Sequence, residues 1–192
     1  MPANPFADFR LLTVPGLHGS GPAHWQSRWE IQLPQVRRVE QEHWDAPELE
    51  VWSKRLSQEL QQSSKPALLI AHSFGCLTTV HRARIDASRI AGALLVAPAD
   101  PVKFGVAAQL SNVRLAFPAV VIGSTDDPWM SSDRAAYWAH QWQAGFVNAG
   151  ALGHINADSG LGDWQYGLDQ LSRLAGLARL AEAERVAVVD SG

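Results

Sequence analysis

The sequence predicts an α/β protein with about six mostly parallel strands and helices on both faces of the sheet. Short apolar runs alternate with amphipathic stretches along the chain, the pattern of repeated strand–helix–strand units. Runs such as ALLIAH at 67–72 and AGALLVA at 91–97 carry no polar alternation, as expected of strands covered on both faces. A length of 192 residues, 46% of them hydrophobic, suffices for one buried core.

The expected strands are 10–14, 36–40, 67–72, 90–96, 119–123 and 145–148. Between them lie helical patterns near 23–32, 48–62, 74–85, 131–143 and 163–184. No internal repeat or low-complexity linker interrupts the series, so residues 1–192 read as one domain with a loose tail after Val189.

Composition excludes several function classes. Charged residues make up 18% and the net charge is −3, with no Lys/Arg run longer than Arg37-Arg38. That predicts neither a nucleic-acid footprint nor a polybasic membrane surface. The single cysteine, Cys76, lies in an apolar stretch and reads as a small buried hydrophobe. The opening MPANPFADFR has no charged region followed by an apolar one, and the strongly apolar stretch at 91–99 is too short to span a bilayer. A soluble cytoplasmic protein is expected. No H-E-x-x-H or clustered ligand set suggests a metal, and the first glycine-rich turn matches neither phosphate-binding pattern.

The chemistry begins after the third strand. Ala71-His72-Ser73-Phe74-Gly75 has the form small-x-Ser-x-Gly and leads straight into a helical pattern. A sharp strand-to-helix turn needs small residues on either side of the serine. Such a turn lifts Oγ above the strand ends and aims the helix N-terminus at the reacting oxygen. Alanine stands where glycine is commoner. A relaxed version of the motif arises by chance in roughly one of seven such chains, and Ser73 has an alternative job as a helix cap. The motif therefore needs partners.

In α/β-hydrolases those partners follow in the order Ser, Asp or Glu, His. Here Asp126-Asp127-Pro128 comes directly after the fifth strand, and the loop AGALGHIN after the sixth carries His154. All three groups then fall at the C-terminal edge of one sheet, where catalytic groups collect. Serine needs an imidazole to take its proton, and the imidazole needs a carboxylate to fix its tautomer. The expected triad is Ser73, Asp127 and His154, with Asp126 as the alternative acid. His72 is expected to point away from the serine.

The turn Val14-Pro15-Gly16-Leu17-His18-Gly19-Ser20-Gly21 follows the first strand. It predicts a backbone donor at Leu17 which, with Phe74 N–H, would form an oxyanion hole. His18 and Trp129 are candidate substrate contacts, with Phe74 and Trp44 as further wall candidates; core packing is the competing reading for Trp129, Phe74 and Trp44. Trp25 and Trp29, four apart, read as a core-facing pair. Only 97–118 separates the fourth and fifth strands, leaving little room for a lid. A shallow, accessible site is expected.

The segments VPGLHGSGPAHWQSRWE, LLIAHSFGC, VIGSTDDPWM and GHINADSGLGDW resemble the small serine-hydrolase family that includes retinoblastoma-binding protein nine and its compact bacterial relatives. The resemblance spans most of the chain in order. It implies a cut-down α/β-hydrolase fold and, residue by residue, the triad Ser73, Asp127 and His154. It does not imply binding of retinoblastoma protein, since no Leu-x-Cys-x-Glu segment is present. The expected activity is cleavage of a small carboxylic ester or related acyl bond on a small-molecule substrate, with no cofactor. The alternatives are an amidase or peptidase acting on short peptides, and a non-catalytic module that uses the same cleft to hold a partner.

Overall fold

The computed structural model describes residues 4–189. The tail expected after Val189 lies outside the described residues. The strands are β1 (Arg10–Val14), β2 (Val36–Arg38), β3 (Ala67–His72), β4 (Ile90–Val96), β5 (Ala119–Gly123) and β6 (Gly145–Asn148). The helices are α1 (Trp25–Gln32), α2 (Leu49–Gln61), α3 (Phe74–Ile85), α4 (Ala107–Leu110), α5 (Ser132–Gln141) and α6 (Gln165–Val189), with a 3-10 turn at Ala157–Ser159.

All six strands form one parallel sheet in the order β2-β1-β3-β4-β5-β6. The chain moves outward from β1 to β2, then returns to β3 and builds in the other direction. This reversal leaves a crevice at the carboxyl ends of β1 and β3, where open α/β sheets place their ligands. Both loops that flank the crevice belong to segments singled out by the sequence.

Alternate strand residues feed two cores, because successive side chains point to opposite faces. Leu12, Val14, Leu69, Ala71, Leu95 and Val121 pack with α2, α3, α4 and α5. Leu11, Leu68, Ile70, Leu94, Val96 and Ile122 pack with α1 and α6. Trp25 and Trp29 are the expected core pair, edge to face at 4.7 Å. Cys76 is buried; its thiol donates to the Val96 carbonyl, and burial pushes its pKa well up, so it is an inert core side chain.

Several boundaries move for local reasons. Helix α1 starts at Trp25 because His24 is its extended cap, accepting the Gln26 N–H on Nδ1 at 3.1 Å. Helix α5 stops at Gln141 because Gln143 adopts φ +57°. Helix α6 begins at Gln165, after Trp164 at φ +43°, and continues past Glu184, where no Gly or Pro halts it. Strand β2 ends at Arg38. Among the described residues no helix is long and apolar enough to cross a membrane.

Candidate active site

The turn between β3 and α3 puts Ser73 at φ 53° and ψ −121°, a conformation rarely tolerated outside glycine. Holding a side chain there costs on the order of 1–3 kcal/mol, so the surroundings must enforce it. Two glycines show how. A Cβ on Gly75 would lie 1.9 Å from the Val14 carbonyl oxygen, so α3 approaches β1 too closely for any side chain. A Cβ on Gly16 would lie 2.7 Å from Ser73 Cβ and 3.1 Å from Phe74 N. Without those carbons, the β1 loop closes onto the serine with no side chain pressed against the Phe74 N–H. Among the described residues neither Leu17 N–H nor Phe74 N–H has an acceptor, and Leu17 borders the cleft.

Ser73 Oγ lies 3.0 Å from His154 Nε2, and His154 Nδ1 lies 2.8 Å from Asp127 Oδ2. A carboxylate oxygen accepts, so Nδ1 carries the proton and Nε2 is free to accept from the serine hydroxyl. The Asp127 side chain is 3% exposed and that of His154 11%. The three side chains expected from the sequence to meet lie within hydrogen-bond distance here, Ser73 and Asp127 each of His154. Asp127 Oδ1 also accepts the Trp129 N–H at 2.9 Å, which fixes the carboxylate plane.

Asp126 faces a different task. Its Oδ1 accepts from Ser124 Oγ at 2.8 Å and from Gly153 N–H at 2.7 Å. Hydrogen bonds from Ser124 and then Gly153 hold its carboxyl below the usual range, so it remains an acceptor. Ser124 Oγ in turn accepts Leu152 N–H at 2.9 Å, and Ser159 Oγ donates to Leu152 O at 2.6 Å. The loop before His154 is therefore tied on both edges. Behind it, the Trp25 indole donates to the Ile155 carbonyl at 2.8 Å. The core tryptophan is also a brace for the histidine loop.

Among the described residues His72 makes no side-chain hydrogen bond to Ser73. Its ring is turned toward His154 and borders the cleft, with Nε2 2.9 Å from the His154 carbonyl oxygen. A position just before a strained serine sits at the strand's end, where its side chain can reach the neighbouring loop.

The cleft holds about 420 Å³. Ser73 and His154 open onto it, between Leu17, His18 and His24 on one side and Ala99, Asp100, Lys103 and Phe104 on another. His18 is at φ 65° with Nδ1 2.7 Å from Asp45 Oδ1, so its ring is engaged at the rim. Trp129 is 60% exposed and lines the cleft, which removes the core reading for it. Phe74 and Trp44 do not line it: Phe74 packs on Trp52 and Phe104 at 5.1 and 5.0 Å, and Trp44 packs on Trp52 at 5.6 Å.

The short segment between β4 and β5 is too small to be a lid, yet it shapes this cleft. Asp100 is buried and receives two Arg134 hydrogen bonds at 2.8 Å, plus the Val102 N–H at 3.0 Å. Burial pushes its pKa up, but the Arg134 bonds, the Val102 bond and nearby Lys103 outweigh that and keep it below the usual range. Lys103 Nζ donates to Trp129 O at 2.5 Å, bridging the segment to the loop that carries Asp127. Asp100, Lys103, Phe104 and His24 carried no sequence signal. Arg134, Trp129 and Phe74, the partners of Asp100, Lys103 and Phe104, lie far along the chain, and histidine is not among the usual helix caps, so no local pattern marks them.

A six-stranded parallel sheet carries hydrogen-bonded Ser73, His154 and Asp127 at its carboxyl edge, and the chain is a small serine hydrolase of the α/β-hydrolase superfamily. The chain belongs to the family described as Serine hydrolase, whose model matches residues 11–173. A YdeN-like hydrolase from Pectobacterium atrosepticum is 37% identical with TM-score 0.87, over 91% of this chain and 94% of that one. The ydeN gene product of Bacillus subtilis, 19% identical over 86% of this chain and 98% of that one, shares the fold at TM-score 0.70. So does the esterase RhEst1 from a Rhodococcus species, 13% identical over 91% and 93%, at TM-score 0.63. Among curated proteins none matches the sequence.

Proposed function

We propose that the chain cleaves a small carboxylic ester or related acyl bond through an acyl-Ser73 intermediate, with Ser73 as nucleophile, His154 as base and Asp127 as its orienter. The observation that carries this reading is the unbroken relay from Ser73 Oγ through both ring nitrogens of His154 to a buried carboxylate. His154 Nε2 takes the hydroxyl proton as Oγ attacks the acyl carbon. The carbonyl oxygen becomes an oxyanion facing the Leu17 and Phe74 N–H groups, which supply the hole. Collapse of the tetrahedral adduct breaks the bond to the leaving group, which receives the proton from His154. Water, deprotonated by the same imidazole, then attacks the acyl carbon and releases the acid, returning the proton to Ser73 Oγ.

The leaning toward small acyl groups rests on the cleft volume and its walls. About 420 Å³ between Phe104, Trp129 and Leu17 suits a compact apolar acyl chain. The test is steady-state turnover of p-nitrophenyl acetate, butyrate and laurate by wild type, Ser73→Ala and His154→Ala. Turnover of the short esters that both variants abolish supports the reading. Equal turnover by wild type and Ser73→Ala would overturn it.

A further inference from the structure

His72 takes no part in the acyl transfer above, yet it is only 5% exposed and is turned under the proposed base. Its Nε2 meets the His154 carbonyl oxygen, which can only accept, so this nitrogen carries a proton. The two rings meet edge to face, with centroids 4.9 Å apart. Behind His72 stands His24, again edge to face, at 4.7 Å. Because His24 Nδ1 accepts the Gln26 N–H, the proton of its neutral ring lies on Nε2. The three imidazoles form a column along the cleft wall, from the cap of α1 to the proposed base.

We propose that His72 is a positioning residue for His154: its Nε2–H holds the carbonyl of the base in place, and its ring forms the shelf against which the His154 imidazole is set. The inference rests on reading His154 as the base of Ser73.

The loop gives a physical reason for such a clamp. His154 lies between Gly153 at φ 56° and Ile155 at φ 47°, and left-handed geometry at a β-branched residue must be imposed from outside. The Trp25 indole secures the Ile155 carbonyl, and His72 secures the one before it. A displacement of about an ångström at a reacting group can lower a rate roughly 10²-fold.

Charge explains why an imidazole suits this place. The groups facing His72 are His24 from the turn before α1, the Trp25 ring of α1, and His154 from the loop after β6. Farther back, Arg38 of β2 acts on His24 and is itself paired with Glu30. No carboxylate accepts from His24 or His72 among the described residues. Burial first, then His24 and His154, push the His72 pKa well down; burial first, then Arg38 and His154, bring His24 to about 4. Both rings therefore stay neutral at ordinary pH and put no fixed charge beside the imidazolium that forms on His154. A lysine could hold the same carbonyl but would oppose that charge.

The experiment has two arms. In wild-type protein with ¹⁵N-labelled histidine, NMR from about pH 5.5 to 8.5 should show His24 and His72 neutral, each protonated on Nε2. A charged His72, or one with its proton on Nδ1, overturns the inference without any variant. In the second arm, fluorophosphonate inactivation and ester turnover are measured against pH for wild type, His72→Leu and His72→Gln, with folding checked by near-ultraviolet circular dichroism. His72→Leu should inactivate at least about tenfold more slowly, with kcat lowered, KM little changed and the pH midpoint displaced. His72→Gln, which keeps an N–H donor, should recover part of the loss. A folded His72→Leu that matches wild type in rate and midpoint overturns the inference alone. A wild-type protein not labelled at Ser73 overturns the acyl-transfer reading and the role for His72 with it.

Discussion

The nucleophile turn and the histidine loop meet at one hydrogen bond, but they are built in opposite ways. Ser73 is placed by its immediate neighbours. Strand β3 ends at His72, α3 begins at Phe74, and Gly75 removes the one carbon that would strike the Val14 carbonyl. His154 sits in an irregular loop held by groups from four other places. Asp126 and Ser124 come from the end of β5, Ser159 from the 3-10 turn, Trp25 from α1 and His72 from β3. One half of the relay is encoded locally and the other by tertiary contacts. The first should therefore fail through backbone clashes, and the second through loosened positioning in a folded protein.

The largest expected effect comes where the halves are joined. Asp127→Asn should lower kcat by about 10⁴-fold, because an amide fixes the wrong tautomer of His154. Asp126→Asn keeps a carbonyl acceptor for Gly153 N–H and should lower kcat by less than about tenfold. A reversal of these two effects in the same ester assay would exchange their roles.

On the nucleophile side, Gly75→Ala should destabilise the fold by about 3 kcal/mol or more in urea titration, since the new carbon meets backbone that cannot yield. A stable Gly75→Ala protein would show that the close approach to β1 is not required. On the histidine side, Trp25→Phe retains a ring in the core but loses the donor to Ile155 O. Its melting temperature should fall by only a few degrees, roughly the worth of one hydrogen bond, while kcat drops about tenfold. Equal losses in stability and activity would erase the contrast.

A further effect, confined to acid conditions, is on stability against pH. His24 and His72 are held below the usual histidine pKa, so the unfolded chain binds protons that the folded one refuses. Their contribution is complete above about pH 6.5 and declines as pH falls toward 4, by up to about 1.4 kcal/mol per pH unit from His24. His24→Asn preserves a cap acceptor and should flatten this slope in thermal melts between those values. An unchanged slope would place the acid sensitivity elsewhere.

The same contrast explains what the sequence made legible. Five of the six strands coincide with their apolar runs, because strands buried on both faces leave an unbroken local signature. The elbow was legible because strand, small residue, serine, glycine and helix are consecutive. The order of Ser73, Asp127 and His154 was legible because each follows a recognisable strand. Helix α4 has four residues, too few to establish a helical period. The Asp100–Arg134 pair, the Lys103–Trp129 bridge and the His72–His154 clamp join positions 34, 26 and 82 residues apart. Such pairs exist only once the sheet has brought its strand ends together. The His72 contact was not legible for this reason: its neighbours in sequence say nothing of the loop its ring reaches.

The central claim is that this assembly activates Ser73, and intact-mass analysis after exposure to a fluorophosphonate tests it most directly. Wild type should gain the mass of a single adduct, and Ser73→Ala none. A folded wild type that stays unmodified, or a Ser73→Ala variant modified to the same extent, would contradict it.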